Sequence, residues 1–233
     1  MEAFTFALIH SPLVGPFTWE LVRQELARRQ IEVVVPTLID RTDSPQPYWQ
    51  QHAQSVARDL GAVPADRSLV LIAHSGAGPL LPAIRQALPH PIGGYIFVDA
   101  GLPRSGLSRL DLMKLQDPAW AEEFQHTLAQ GARFPDWTAD DLHDVVPDEH
   151  IRQQLVAELQ PRALPFFTEA LSVFDGWPDA PCAYLKFSAS YEWDVQQAKL
   201  ADWPVRDLHV RHFHMLVEPA SVADGIIELV ESL

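Results

Sequence analysis

Cysteine is nearly missing from this chain: one residue, Cys182, in 233. No internal disulfide framework can form, which suits a reducing cytosol and gives the expectation of a cytoplasmic protein. Cys182 stands in the apolar run Cys182-Ala183-Tyr184-Leu185 and reads as a packed core thiol, not a reactive one. Basic residues are also scarce, 17 Lys and Arg against 31 Asp and Glu, for a formal net charge of −14. Such a surface repels phosphate backbones and anionic lipid heads, so neither nucleic acid nor membrane is expected as a partner. It does not constrain a substrate, because the lining of one pocket need not follow the average. No stretch approaches the roughly 20 apolar residues of a membrane helix. Met1-Glu2-Ala3-Phe4 carries no basic leader, so no secretory signal is expected. Internal repeats and low-complexity tracts are lacking too. Proline is the exception at 20 residues, placed mostly at element boundaries, where it stiffens loops.

What is present is a regular alternation of apolar strands and amphipathic helices. Phe4 to Ile9 is a near-continuous apolar run of the kind buried on both faces of a parallel sheet. A helix near Phe17 to Arg29, a strand from Ile31 to Val35 and a helix near Tyr48 to Leu60 follow. Leu69 to Ala73 is a third strand, running into a helix that reaches about Leu88, and Gly94 to Asp99 is a fourth. The alternation then breaks over 102–177, which reads as helices and loops carrying Trp120, Phe124, Trp137, Phe166, Phe167 and Phe174. It resumes with a strand from Cys182 to Ser188, a short helix from Trp193 to Ala201, a last strand from Val205 to Val210 and a helix near Ala220 to Leu233. The pattern predicts an α/β fold: a mostly parallel sheet of about six strands with helices on both faces. Residues 1–101 and 178–233 form its core, and 102–177 a helical cap inserted after the fourth strand.

Chemistry enters at Ala73-His74-Ser75-Gly76-Ala77, a small-x-Ser-x-small sequence between strand and helix. This is the nucleophile-elbow pattern, here with alanine in place of both outer glycines. A sharp turn leaves the serine backbone strained and its hydroxyl raised above the sheet, and the tight approach of neighbouring backbone requires the small flanks. The helix start beneath offers N–H groups to a developing oxyanion, with Gly76 the natural donor. A serine here also suits a helix N-cap, but a cap explains neither the flanks nor the strand running into it.

The order of elements, His10-Ser11-Pro12 after the first strand, the elbow, and His214 ahead of the last helix together resemble the α/β-hydrolase superfamily over the whole chain. The layout is most similar to its compact plant-type esterases and hydroxynitrile lyases. The resemblance implies a Ser, acid, His order, with His214 as the base. His212 competes, but the family-like run Met215-Leu216-Val217-Glu218-Pro219 favours His214. For the acid it implies either the end of the fourth strand, Asp99, or the segment after the next-to-last strand, where Glu192 and Asp194 lie; Asp99 leads because a charge closing an apolar strand needs a partner. His10 is implied to be structural, holding its loop, and His74 and Gly78 belong to the packing of the elbow. A second oxyanion donor is implied in the loop after the first strand, at Pro12, which has no N–H. Leu13 or the Ser11 hydroxyl must then take its place.

His209, His212 and His214 match no known zinc spacing, and neither a metal nor a cofactor is expected. The cap aromatics suit a small, largely apolar molecule as substrate. The expected activity is that of a serine esterase working through an acyl-enzyme. The alternatives are a lyase or cyclase of secondary metabolism, or a ligand-binding receptor with little turnover.

Overall fold

The computed structural model describes residues 4–233, so the reading of Met1-Glu2-Ala3 lies outside the described residues. Among these, no helix is long and apolar enough to cross a membrane. The strands are β1 (Phe4–Ile9), β2 (Glu32–Val34), β3 (Ser68–His74), β4 (Ile92–Val98), β5 (Cys182–Lys186) and β6 (Val205–Asp207). The helices are α1 (Phe17–Arg28), α2 (Tyr48–Asp59), α3 (Leu81–Ala87), α4 (Arg109–Gln116), α5 (Pro118–Ala129), α6 (Glu149–Ala157), α7 (Leu164–Thr168), α8 (Glu192–Leu200) and α9 (Pro219–Glu231). All six strands are parallel, in the order β2-β1-β3-β4-β5-β6.

Continuous apolar runs are needed because both sheet faces are covered. Ile9, Leu71, Ala73 and Phe97 pack with Val56 of α2, Ile84 of α3 and Ala198 of α8 on one face. Phe6, Leu8, Ile72 and Val98 pack with Trp19 and Val22 of α1 and Ile226 of α9 on the other. Cys182 is buried in the first of these cores, and burial pushes its thiol up to about 12, so it is protonated near neutral pH.

The order in which strands are added to the sheet reverses between β1 and β3, which are neighbours. The loops leaving these strands therefore diverge and open a crevice at the strand C-termini. Register aligns those ends: Ile9 lies beside Ala73, and His74 beside Val98. His10, Ser75 and Asp99, each at or just beyond a strand end, are thereby brought to one edge.

The segment between β4 and β5 divides among three cores, with Leu102, Leu112 and Leu171 joining the one covered by α2, α3 and α8. Leu142, Val146 and Leu155 join the core beneath α1 and α9. Leu110, Ala121, Leu128, Phe166 and Phe167, from α4, α5 and α7, form a small separate one. Local signals set the helix starts: Ser108 and Asp111 make a reciprocal capping box for α4, and Asp117 caps α5 ahead of Pro118.

The last strand and the helix after Ser75 depart most from expectation. The last strand stops at Asp207 and not at Val210, because Asp207 accepts the His209 amide at 2.8 Å and His209 takes a left-handed φ of 53°. The helix after Ser75 opens as a 3-10 segment, Ser75–Leu80, and becomes α-helical only past Pro79.

Candidate active site

Ser75 follows β3 directly and holds a φ of 56°, a left-handed conformation costly for a non-glycine residue. Its surroundings over-determine that strain. A Cβ at Gly78 would lie 2.1 Å from the Gly101 carbonyl oxygen, so the turn after β3 presses against the turn after β4 and admits only glycine there. Ala77 is fully buried in the same contact zone.

Asp99 follows β4 directly, fully buried, with a φ of 40°. Its Oδ1 accepts the Phe187 and Ser188 amides at 3.0 and 2.9 Å, and its Oδ2 accepts the Ser188 hydroxyl at 2.7 Å. The fourth donor is the His212 ring, whose Nδ1 lies 2.7 Å from Oδ2. Burial works against the charge, but the His212 ring and the Ser188 donors outweigh it and hold the carboxyl at about 2. Tyr184 fixes the turn beyond: its hydroxyl donates to the Ala100 carbonyl at 2.6 Å and accepts the Ala100 amide at 2.9 Å.

The acid thus meets His212, and this corrects the expectation for His214. In extended backbone, residues two apart share a side. Here the chain turns at Phe213 into a 3-10 segment, His214–Leu216, and the two rings part. The His214 ring goes to the edge of Phe187, at 6.2 Å between centroids, and makes no hydrogen bond among the described residues. The His212 ring is instead boxed in. His74, which precedes the serine, lies 4.5 Å from it and donates its Nε2 proton to the His212 carbonyl at 3.1 Å. Tyr191 also stacks on the His212 ring, at 5.7 Å between centroids and 23°. The Tyr191 hydroxyl is itself 3.0 Å from the Ser75 Oγ, which links serine and imidazole through one phenol. Burial pushes that phenol well up, so it keeps its proton near neutral pH.

The other two carboxylates do not reach a histidine. Glu192 is half exposed and pairs with Lys186 at 2.7 Å. Asp194 is buried, accepting the Leu102 amide at 2.8 Å and the Gln116 side chain at 2.6 Å. Burial pushes it up to about 7, against the pull of the Leu102 amide and Arg104. His209 is exposed beside Asp207, and no group of three His, Cys, Asp or Glu among the described residues is placed to hold a metal ion.

The loop after β1 faces the elbow. A Cβ on Gly76 would lie 3.1 Å from the Ser11 Oγ and 3.6 Å from the Pro12 ring, so both residues lie against Gly76, the residue after the serine. Leu13 turns its N–H toward the Ser11 Oγ at 3.4 Å. His10 fastens this loop. Its Nε2 accepts the Leu38 amide at 3.1 Å, so its Nδ1 carries the proton toward the Ser11 carbonyl at 2.8 Å. Burial lowers His10 to about 4, keeping it in this neutral form near pH 7. Arg162 also steadies the loop, donating to the Pro12 carbonyl at 3.2 Å while paired with the buried Asp40.

Ser75, Gly76, Pro12, Leu13 and Tyr191 open onto a cavity of about 520 Å³. Leu112, Met113, Phe166, Phe167 and Trp193 give it a mainly apolar wall, and Arg109 and Gln116 add polar groups. Sequence reasoning passed over Tyr191, Ser188 and Arg109. Only the tertiary fold brings them to the site, and none stands in a motif.

The profile of the Alpha/beta hydrolase family matches residues 7–225. The chain belongs to that family. This α/β-hydrolase is similar along its whole length to several solved structures. One is an extracellular α/β-hydrolase from a Paenibacillus species, described as sharing structural and functional homology with tobacco salicylic acid binding protein 2; it is 19% identical, with a TM-score of 0.76 over 97% of this chain and 98% of that one. Tomato methylketone synthase I, in complex with 2-tridecanone, is 11% identical, with a TM-score of 0.73 over 98% of both chains. A pyrethroid hydrolase from Sphingobium faniae is 17% identical, with a TM-score of 0.70 over 98% of this chain and 97% of that one. At such identities the likeness is one of fold. No curated protein sequence matches the chain. Family membership makes the protein a hydrolase-type enzyme, while the bond it breaks rests on the site.

Proposed function

We propose that this α/β-hydrolase cleaves a small carboxylic ester through Ser75, His212 and Asp99. The observation that carries the reading is the 2.7 Å contact of buried Asp99 with His212 Nδ1, beside a serine strained at the head of a helix. With Nδ1–H given to the carboxylate, His212 Nε2 is the free basic nitrogen. It takes the Ser75 proton as the oxygen attacks the ester carbonyl, and Asp99 stabilises the imidazolium that forms. The tetrahedral oxyanion meets the Gly76 N–H and the Ser11 hydroxyl. Collapse breaks the C–O bond, His212 protonates the departing alcohol, and an acyl-Ser75 remains. Water, deprotonated by His212, then attacks the acyl carbon and releases acid and free serine.

The apolar cavity wall suits a hydrocarbon acyl or alcohol part. Turnover of p-nitrophenyl butyrate is the direct test. The wild-type protein should hydrolyse it and form an acyl adduct visible by mass spectrometry, and Ser75→Ala should lose both. Equal turnover by the two proteins would remove Ser75 from the role.

Ser11 has a separate expectation. Its hydroxyl, accepting from Leu13 and facing Gly76, has a proton to give where Pro12 has none. Ser11→Ala should lower kcat about a hundredfold with little change in KM, the usual result of losing one oxyanion donor. A change within about threefold would transfer the role to the Leu13 N–H.

The same proline supports a second reading. A site with a weakened oxyanion hole, keeping Ser75 and His212 as a proton shuttle, suits lyase or cyclase chemistry. In that case no substrate-derived acyl adduct would accumulate on Ser75 while product still formed.

A further inference from the structure

Arg109 is the only cation among the residues lining the cavity, and nothing in the mechanism above uses it. Two local considerations disfavour a guanidinium there. It is the first residue of α4, where the positive pole of the helix repels it. It is 5% exposed, and its Nε and both terminal nitrogens are buried with no hydrogen-bond partner. Its guanidinium carbon sits 4.2 Å over the Phe166 ring, an attraction that leaves all the N–H groups unspent.

Neighbouring carboxylates do not fill the gap. Asp40 is taken by His52 and Arg162 at 2.8 and 2.7 Å. Glu169 accepts the Tyr48 and Trp49 amides at the start of α2, at 2.6 and 3.0 Å. Both attract Arg109 through space without bonding it, and burial together with Arg162 still lowers it to about 10, so it is charged near neutral pH. The acids on the cavity wall are committed as well: Asp117 caps α5 and Glu192 pairs with Lys186.

A buried guanidinium with every donor free is strongly unfavourable alone and fits a planar two-oxygen anion. We propose that the substrate carries a carboxylate at the end of its apolar portion and that the Arg109 guanidinium, closed off from the cavity in this structure, turns toward the cavity to bind it, so that the ester cleaved at Ser75 is one end of an acid-ester. This rests on the ester-hydrolase reading for the bond cleaved but not for the binding.

The test compares monoethyl adipate with its primary amide, ethyl 5-carbamoylpentanoate, which has the same shape without the charge. Wild-type kcat/KM should favour the acid by about ten- to a hundredfold, the worth of a charge-assisted hydrogen bond. Arg109→Met should bring the ratio to one or below, and Arg109→Lys should keep part of it. Circular dichroism melting of Arg109→Met should show a midpoint at or above the wild type, since an unpaired buried charge has gone. Titration calorimetry of monoethyl adipate into Ser75→Ala, with and without Arg109→Met, reads binding without chemistry. If neither ester is cleaved but Ser75→Ala binds the acid only with Arg109 present, the anion site stands and ester hydrolysis falls. If the amide is cleaved at Ser75 while the acid is not preferred, or is preferred equally without Arg109, the anion site is overturned and ester hydrolysis stands.

Discussion

His212→Ala should lower kcat/KM toward p-nitrophenyl butyrate by at least about 10⁴-fold, and His214→Ala should leave it within about threefold. Loss of the general base in a serine hydrolase removes nearly all of the advantage that the triad gives over the bare site. Only His212 has the attributes of that base here: an Nδ1 held 2.7 Å from a buried carboxylate, and a ring in contact with both His74 and Tyr191. His214 is half-buried beside Phe187, and burial lowers its affinity for a proton without supplying a partner to orient it. Steady-state kinetics of the two single variants decides the assignment. A collapse in His214→Ala with His212→Ala active would reverse it.

The second large effect separates the two buried acids. Asp99→Asn should reduce kcat about 10⁴-fold, because an amide cannot hold the imidazole in the tautomer that leaves Nε2 basic. The same change should remove an acid-side stability term. Asp99 has a folded value near 2, below its ordinary 3.8. Its charge therefore stabilises the fold above about pH 4, and that contribution, about 2 kcal/mol, is lost as pH falls from about 4 to 2.

Asp194 has the opposite sign. Its folded value of about 7 lies above its ordinary 3.8. The folded state keeps a proton that the unfolded chain has released, so stability falls as pH rises from about 4 to 7. Asp194→Asn should abolish that fall and gain on the order of 2–4 kcal/mol at pH 8, with the Gln116 amide turning to present its oxygen. Urea melts at pH 3, 5 and 8 measure both terms. Equal pH slopes in the wild type and the two variants would contradict the electrostatics of the site.

Much of this was legible in the residues because it follows from backbone rules. The apolar run into Ala73-His74-Ser75-Gly76-Ala77 reports a buried parallel strand and a tight turn, and both are present. Asp99 was readable because a carboxylate closing an apolar strand needs donors, and four converge on it. The choice between His212 and His214 was not, since it hangs on one turn at Phe213 that the alternation of polar and apolar residues does not encode. Phe213 and Met215 are both buried on either side of His214, and that pattern does not mark the 3-10 turn that parts the two rings. Tyr191 and Arg109 depend on contacts between distant elements. The one local hint was a cation at the first position of α4, against the helix dipole.

The cores beneath the segment between β4 and β5 give it an uneven grip. Leu155 of α6 is locked into the same packing as Trp19 and Ile226, so its release amounts to unfolding the domain. Leu110, Ala121, Leu128, Phe166 and Phe167 are held mainly by one another. Regions with few buried apolar contacts open at a fraction of the global free energy. The wall that carries Met113 and Phe167 rests on that smaller core, while Leu112 of α4 is tied to the packing of the sheet. The amides of α5 and α7 should therefore exchange with solvent hydrogen faster than those of the strands that lead to Ser75 and Asp99.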